Sequence, residues 1–279
     1  MMTWVHHLLN LAGLLLWFGW RAGGERAADT RVGWPGVLKP AAQRRSGSWL
    51  WLAALLALLA VRSVIYWRVG SEVRWVPTLD LGVISLPFNS ISWVRMAVYS
   101  AASFGVVLAV VHLWFLLLSV VNGSIPDLDP WQRRIRRHLG WCGHWPAVLR
   151  LVGPWGLAAG LWYGANPALV GWGMTAQPAS AAHLVQQSLV VGAGIILAWK
   201  YVVLGVLLLS VLNTYLYLGN YSLWTFIAAT AKRLLRPLAF LPLRIGQVDF
   251  GPVVGLAGAI AAFAAIEWGL HELFARLPL

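Results

Sequence analysis

Six apolar runs, each about the length needed to cross a bilayer, decide what this chain can fold into. They cover residues 4–20, 49–67, 93–121, 151–172, 183–212 and 252–274. A hydrocarbon core about 30 Å thick takes roughly 20 residues of helix. In lipid, an isolated segment must satisfy its backbone polar groups internally, so runs of this kind are helices. The first run has no basic stretch before it, and Trp17, Phe18, Trp20 and Arg21 stand where a cleaved leader would carry small residues. It therefore reads as a span. The fourth contains Pro154, Gly156, Gly160, Gly164 and Pro167, which predict a bent or short helix supported by its neighbours. The expected fold is an all-α polytopic membrane protein with about six transmembrane helices arranged as three hairpins. Composition removes the alternatives. With 11% charged residues against 59% hydrophobic and a mean hydropathy of +0.70, neither a cytosolic enzyme nor a disordered chain is compatible. The +12 net charge cannot mark a nucleic-acid binder, because too little polar surface exists to carry one. A single cysteine, Cys142, excludes an intrachain disulfide and Cys-rich metal or iron–sulfur sites.

The basic residues set the orientation. Arg21, Arg26, Arg31, Lys39, Arg44 and Arg45 follow the first run. Arg133, Arg134, Arg136, Arg137 and Arg150 follow the third, and Lys232, Arg233, Arg236 and Arg244 follow the fifth. The alternate loops carry Arg68 and Arg74, then none. The positive-inside rule places the three basic loops in the cytoplasm and both termini outside it. Trp4, Trp17, Trp20, Trp49, Trp51, Trp67, Trp75, Trp93 and Trp172 mark run ends, where indole rings anchor at headgroup level. The net charge then reads as topology and as affinity for anionic lipid headgroups, about 1 kcal/mol per basic residue near the surface.

The chain also echoes itself. Leu116-Leu117-Leu118-Ser119-Val120-Val121-Asn122 closes the third run and Leu207-Leu208-Leu209-Ser210-Val211-Leu212-Asn213 closes the fifth; Gly153-Pro154 and Gly251-Pro252 open the runs that follow. Residues 92–181 and 182–279 are expected to be two copies of one hairpin, after an N-terminal hairpin over 1–91 with its own basic loop and outer linker. Both copies run in the same direction, a parallel repeat unlike the inverted repeats of several carriers. Each hairpin loop predicts a short amphipathic helix. In the first, Asp129 is a natural N-cap and Pro130 suits the first helical position. Trp131, Ile135 and Leu139 share one face opposite Arg133, Arg134, Arg136 and Arg137, and Gly140 stops the helix. In the second, Ser222 is expected to cap a helix with Leu223, Phe226, Ile227, Leu234 and Leu235 on one side and Lys232, Arg233 and Arg236 on the other, ended by Pro237. Such helices are expected to lie in the headgroup plane.

The second loop carries a denser pattern: Thr230, then Leu235-Arg236-Pro237, then Pro242, then Gly246, Asp249 and Pro252 at the entry to the last run. Physically, Pro237 and Pro242 stop and stiffen the chain, Gly246 permits a turn, and Asp249 is placed to cap the last span and complement its dipole. Arg236 or Arg244 is a candidate partner for Asp249. These eight positions resemble the loop motif of the YGGT (YlmG) family of small bacterial and plastid membrane proteins. The resemblance covers residues 92–275 and is degraded in the first copy, where Leu151 or Val152 stands in place of the Asp and no Leu-Arg-Pro occurs. It implies a bacterial inner (cytoplasmic) membrane protein, without catalysis, that acts as a scaffold, assembly factor or accessory subunit beside other membrane subunits.

Among intramembrane polar residues, Lys200 has Glu267 as its depth-matched partner, with Arg62 as a second candidate. Ionisable residues in a span are functional-site candidates by default; here a buried Lys200–Glu267 pair that fixes hairpin docking is expected. His112 is the one histidine placed mid-span and lacks a matched His for haem, and Cys142-Gly143-His144 lacks further metal ligands. No phosphate loop, paired-carboxylate site or nucleophile motif occurs, so neither a cofactor nor a metal is expected. The rival function is a small-solute or ion channel linked to osmotic response, in which Lys200, Glu267 and Arg62 would line a wet path.

Overall fold

A computed structural model describes residues 2–29, 48–123, 130–216, 221–238, 244–245 and 248–278. Nine α-helices dominate these residues: α1 (Met2–Asp29), α2 (Ser48–Val73), α3 (Trp93–Val121), α4 (Pro130–Leu139), α5 (Ala147–Gly171), α6 (Ala181–Ala193), α7 (Ile195–Leu216), α8 (Ser222–Leu234) and α9 (Gly251–Ala275). Short strands β1 (Thr78–Asp80) and β2 (Ser85–Pro87) lie between α2 and α3. Strands β3 (Arg244–Ile245) and β4 (Val248–Asp249) pair antiparallel before α9, with Arg244 opposite Asp249 and Ile245 opposite Val248.

Four helical stretches are long and apolar enough to cross a membrane: Trp49–Val73, Trp93–Val121, Ala181–Leu216 and Gly251–Ala275. The first and fourth expected runs also form helices, α1 and α5.

The described chain forms two compact units. One comprises Met1–Leu79 with Pro87–Leu108 and holds α1, α2 and the first half of α3. Here α1 packs along α2, and Gly13 is glycine for a reason: a Cβ there would stand 2.8 Å from the Phe104 ring.

The other unit comprises Asp80–Leu86 with Ala109–Leu279. Within it α5 packs along α6, and α7 packs along both α9 and α8. The fifth expected run is one 36-residue stretch divided at Gly194, whose N–H contacts the carbonyls of both Val190 and Val191. Against that break sits the Leu81–Ile84 turn. Leu81 N–H donates to Ile84 O at 2.9 Å, and Gly82 takes a left-handed φ of +86°, open to glycine at little cost. A Cβ on Gly194 would lie 2.7 Å from Val83 Cγ2, so glycine at the break is what lets the turn seat.

A second tight fit joins α8 to α9. A Cβ on Gly255 would overlap Leu235 Cδ2. Leu235 thus fills a notch in α9, where Leu256 and Ala259 pack with it against buried Val206, Leu207, Ile227 and Ala231.

Two local expectations need correction. Helix α8 is preceded by Tyr221 at its N-cap, with no side-chain cap; Ser222 is its first residue and its Oγ accepts from Trp131 Nε1 at 3.2 Å. The apolar side of α4 does not face lipid. Buried Ile135 and Leu139 pack with Phe226 of α8 and with Phe115, Leu116 and Leu118 of α3. Burying that stripe against protein removes the same apolar area from water as a headgroup plane would, with better-fitting partners.

Candidate functional site

Three polar constellations stand out, and each begins from a residue that an apolar helix could not carry alone. The first is in the α1–α2–α3 unit. Arg62 on α2 is 1% exposed, with a charge that lipid or a dry interior would reject unless fully hydrogen-bonded. Its Nε donates to Ser100 Oγ at 3.1 Å, one Nη to Asn10 Oδ1 at 2.5 Å, and the other to Ser100 O at 2.6 Å and to Ser103 Oγ. These are neutral oxygens drawn from three helices. Asn10, with its Oδ1 held by Arg62, turns its Nδ2 to His6 Nε2 at 3.0 Å, and His6 Nδ1 meets Tyr66 OH at 3.0 Å. That chain assigns the imidazole proton to Nδ1. The Tyr66 ring lies 5.4 Å from the Arg62 guanidinium carbon, and Tyr66, Trp75, Phe88 and Tyr99 form an aromatic cluster beside it. Arg62 is therefore engaged inside its own unit, with Asn10, Ser100 and Ser103 as partners, and does not extend the Lys200–Glu267 pair.

The second constellation caps the C-terminal end of α3. The last carbonyls of a helix have no intrahelical partner and carry partial negative charge. Here both loop helices supply donors. Arg233 of α8 donates to Val121 O at 3.1 Å, Gln132 of α4 to Asn122 O at 3.3 Å, and Arg136 of α4 to Gly123 O at 3.4 Å. Asn122 Nδ2 donates to Thr230 Oγ1 at 2.9 Å, whose hydroxyl donates to Phe226 O at 2.7 Å. Arg150 at the start of α5 reaches Ser119 Oγ at 2.9 Å. Ser119, Asn122, Gln132 and Thr230 are all buried. Among the described residues this hub leaves Asn122 Oδ1, Gln132 Oε1 and Arg150 Nε buried without a partner, the complement of donor and acceptor groups that a buried water bridges. On the outside, Arg133, Arg134 and Arg137 of α4, together with Lys232 and Arg236, are exposed, and Arg134 lies 5.3 Å from the Trp131 ring centre.

The third is the pair Lys200–Glu267, joining α7 to α9 at 2.8 Å. The pairing forms, but it is not the buried pair expected: it lies at the edge of the helices, with side chains 32% and 43% exposed.

Of the eight loop-motif positions, Thr230 enters the hub and Leu235 fills the Gly255 notch. Arg236 and Pro237 are exposed in a 3₁₀ turn (Arg236–Leu238). Pro252 is buried in the first turn of α9, whose N-cap position is Phe250, with no side-chain cap. Pro242, Gly246 and the side chain of Asp249 lie outside the described residues, and with them the expected Asp249 pairing and the Asp129 cap. Sequence reasoning missed Ser119, Asn122, Gln132, Arg150 and Arg233 as hub members. The signal was present in the Ser119/Asn122 echo of Ser210/Asn213, read there as a repeat marker and not as a docking pair.

Among the described residues no cluster of three or more His, Cys, Asp or Glu side chains is placed to hold a metal ion. Chemically, the three constellations fix helices to one another and present a basic surface. No family model, curated protein or solved structure matches the chain.

Proposed function

We propose that this chain is a six-span inner-membrane protein of the YGGT type that serves as a scaffold, assembly factor or accessory subunit of a larger membrane complex. The hub at the end of α3 carries this reading. Loop helices from both halves of the repeat are locked onto one helix end through buried and half-buried polar bonds, which holds a basic outer face at fixed geometry. A rigid presented surface suits recruitment. The self-neutralised Lys200–Glu267 pair and the fully engaged Arg62 leave little charge free to line a solute path. Further support comes from α5, where Gly156, Gly160 and Gly164 fall one turn apart with open space over each Cα. Glycine costs about 1 kcal/mol in a helix, and such spacing admits the close approach of another helix.

The decisive experiment is mild-detergent extraction at native abundance, followed by mass and composition of the native particle. A defined hetero-complex is expected, with recovery reduced by Arg236→Ala combined with Asp249→Ala. A lone protomer or homo-oligomer would overturn the accessory role. The topology has a built-in probe, because Cys142 is the one cysteine and is partly accessible. A membrane-impermeant maleimide should label it only after the membrane is opened.

A further inference from the structure

The Lys200–Glu267 bond leaves much of both charged groups uncovered. Each residue lies well inside a stretch long and apolar enough to cross a membrane, yet both side chains stay partly exposed at the edge of α7 and α9. A Lys ammonium has three N–H donors, and a carboxylate has two acceptor oxygens. Among the described residues these groups make one bond, from Nζ to Oε2 at 2.8 Å. In hydrocarbon, unmet capacity on a charged group is costly, and such groups face a neighbouring helix or a water-filled cavity.

The uncovered edge continues along both helices. On α9, Ile260 and Ala264 share the face of Glu267 and are exposed; on α7, Ile196 and Leu208 lie one and about two turns from Lys200 and are exposed as well. Of the four apolar stretches, α9 is the least covered by the rest of the described chain, with 6% of its apolar window buried against 17–22% in the others.

We propose that a second copy of this chain docks on the edge, with the two Lys200–Glu267 pairs closing into a ring of four charges. The bond runs from one helix to its packed neighbour, so the line from Lys200 to Glu267 crosses the helices and lies near the membrane plane. Two copies inserted with the same topology are related by a two-fold axis along the membrane normal. Half a turn about that axis reverses every in-plane direction, so Lys200 of one copy faces Glu267 of the other, and the reverse. The edge is its own complement, as a two-fold contact requires. A lone cation there would meet its like and be repelled; a side-by-side pair is the arrangement that the same symmetry turns into attraction. That attraction is larger in a low dielectric than in water. The proposal neither needs nor excludes the scaffold reading, because a larger complex holding two copies satisfies both.

The test uses the full chain in two versions with different affinity tags, co-expressed and isolated in native lipid nanodiscs. The readouts are recovery of the second tag on the first and the protomer count by native mass spectrometry. The unaltered chain should bring down its second copy in a particle holding two protomers. The chain carrying Lys200→Glu with Glu267→Lys keeps its internal pair and should bring down its own copy equally well. Paired with the unaltered chain, it sets Lys against Lys and Glu against Glu, and recovery should fall about tenfold or more. Neither Lys200→Glu alone nor Glu267→Lys alone should pair with itself, whereas the two co-expressed should pair with each other. That rescue separates a lost contact from a lost fold. The proposal fails if the unaltered chain is recovered as one copy, alone or with a different protein, or if exchanged and unaltered chains associate as freely as like with like. Two copies with no other subunit would support the pairing while overturning the accessory role; a hetero-complex with one copy would do the reverse.

Discussion

Arg62 and Lys200 are both cations in apolar helices, and the chain treats them in opposite ways. Lys200 meets a carboxylate, Glu267, at the edge of α7 and α9, where the two side chains keep 32% and 43% of their surface open. Arg62 has no carboxylate among its described partners and is instead wrapped by four neutral oxygens from α1 and α3. An ion pair is self-neutral and tolerates loose geometry, because its attraction falls off slowly with distance. A guanidinium held by neutral acceptors needs every one of them in place, since each lost bond leaves part of the charge unsolvated. The first device fastens two helices; the second specifies how three helices come together.

Substitutions can break this contrast, beginning where the effect is largest. Arg62→Leu should destabilise the α1–α2–α3 unit by about 3 kcal/mol or more, by stranding the oxygens of Asn10, Ser100 and Ser103. Asn10→Leu should approach that cost, because it leaves one Nη of the buried guanidinium without its acceptor. Chemical unfolding in mixed micelles measures both, and stability unchanged within error in either variant would refute the account. Next comes Leu235→Ala, expected to cost about 2–4 kcal/mol through the cavity left against Gly255. The double variant Leu235→Ala with Gly255→Ala should recover part of that loss, visible as a coupling term in a double-mutant cycle. Thr230→Val leaves the Asn122 amide unpaired in the hub and should cost about 1–3 kcal/mol. The smallest change should follow exchange of the edge pair, Lys200→Glu with Glu267→Lys. Preserved thermal stability is expected there, with each single reversal less stable than the exchanged protein. Equal damage from exchange and single reversals would show that the pair depends on more than its own attraction.

The contrast also explains what could be read from the sequence. The helices were legible because length and hydropathy alone impose them on a chain in lipid. The Lys200–Glu267 pair was legible because opposite charges at matched depth have few other options. The partners of Arg62 were not, since Asn10, Ser100 and Ser103 are neutral and lie 38 to 52 residues away along the chain. Nothing in their local spacing announces a guanidinium. In the hub, Thr230 was noticed as part of a motif, but its bond to Asn122 spans 108 residues and depends on how two loops fold back. Ser222 misled for a related reason. Its type predicts a cap, yet Trp131 competes for the same oxygen. The amphipathic pattern of α4 was read correctly as a pattern; only tertiary packing decides whether lipid or protein covers the apolar stripe.

The clasp of Val83 on Gly194 sets an order of events during synthesis. The Leu81–Ile84 turn leaves the ribosome more than a hundred residues before the helix break that receives it, and so cannot seat until α6 and α7 have been inserted. A chain arrested before residue 194 has no receiver for that turn and should expose its backbone to protease, whereas the complete chain should not. Final closure of this unit is thus deferred to late in translation, a delay of the kind that long-range contacts impose, and the turn itself acts as the timer.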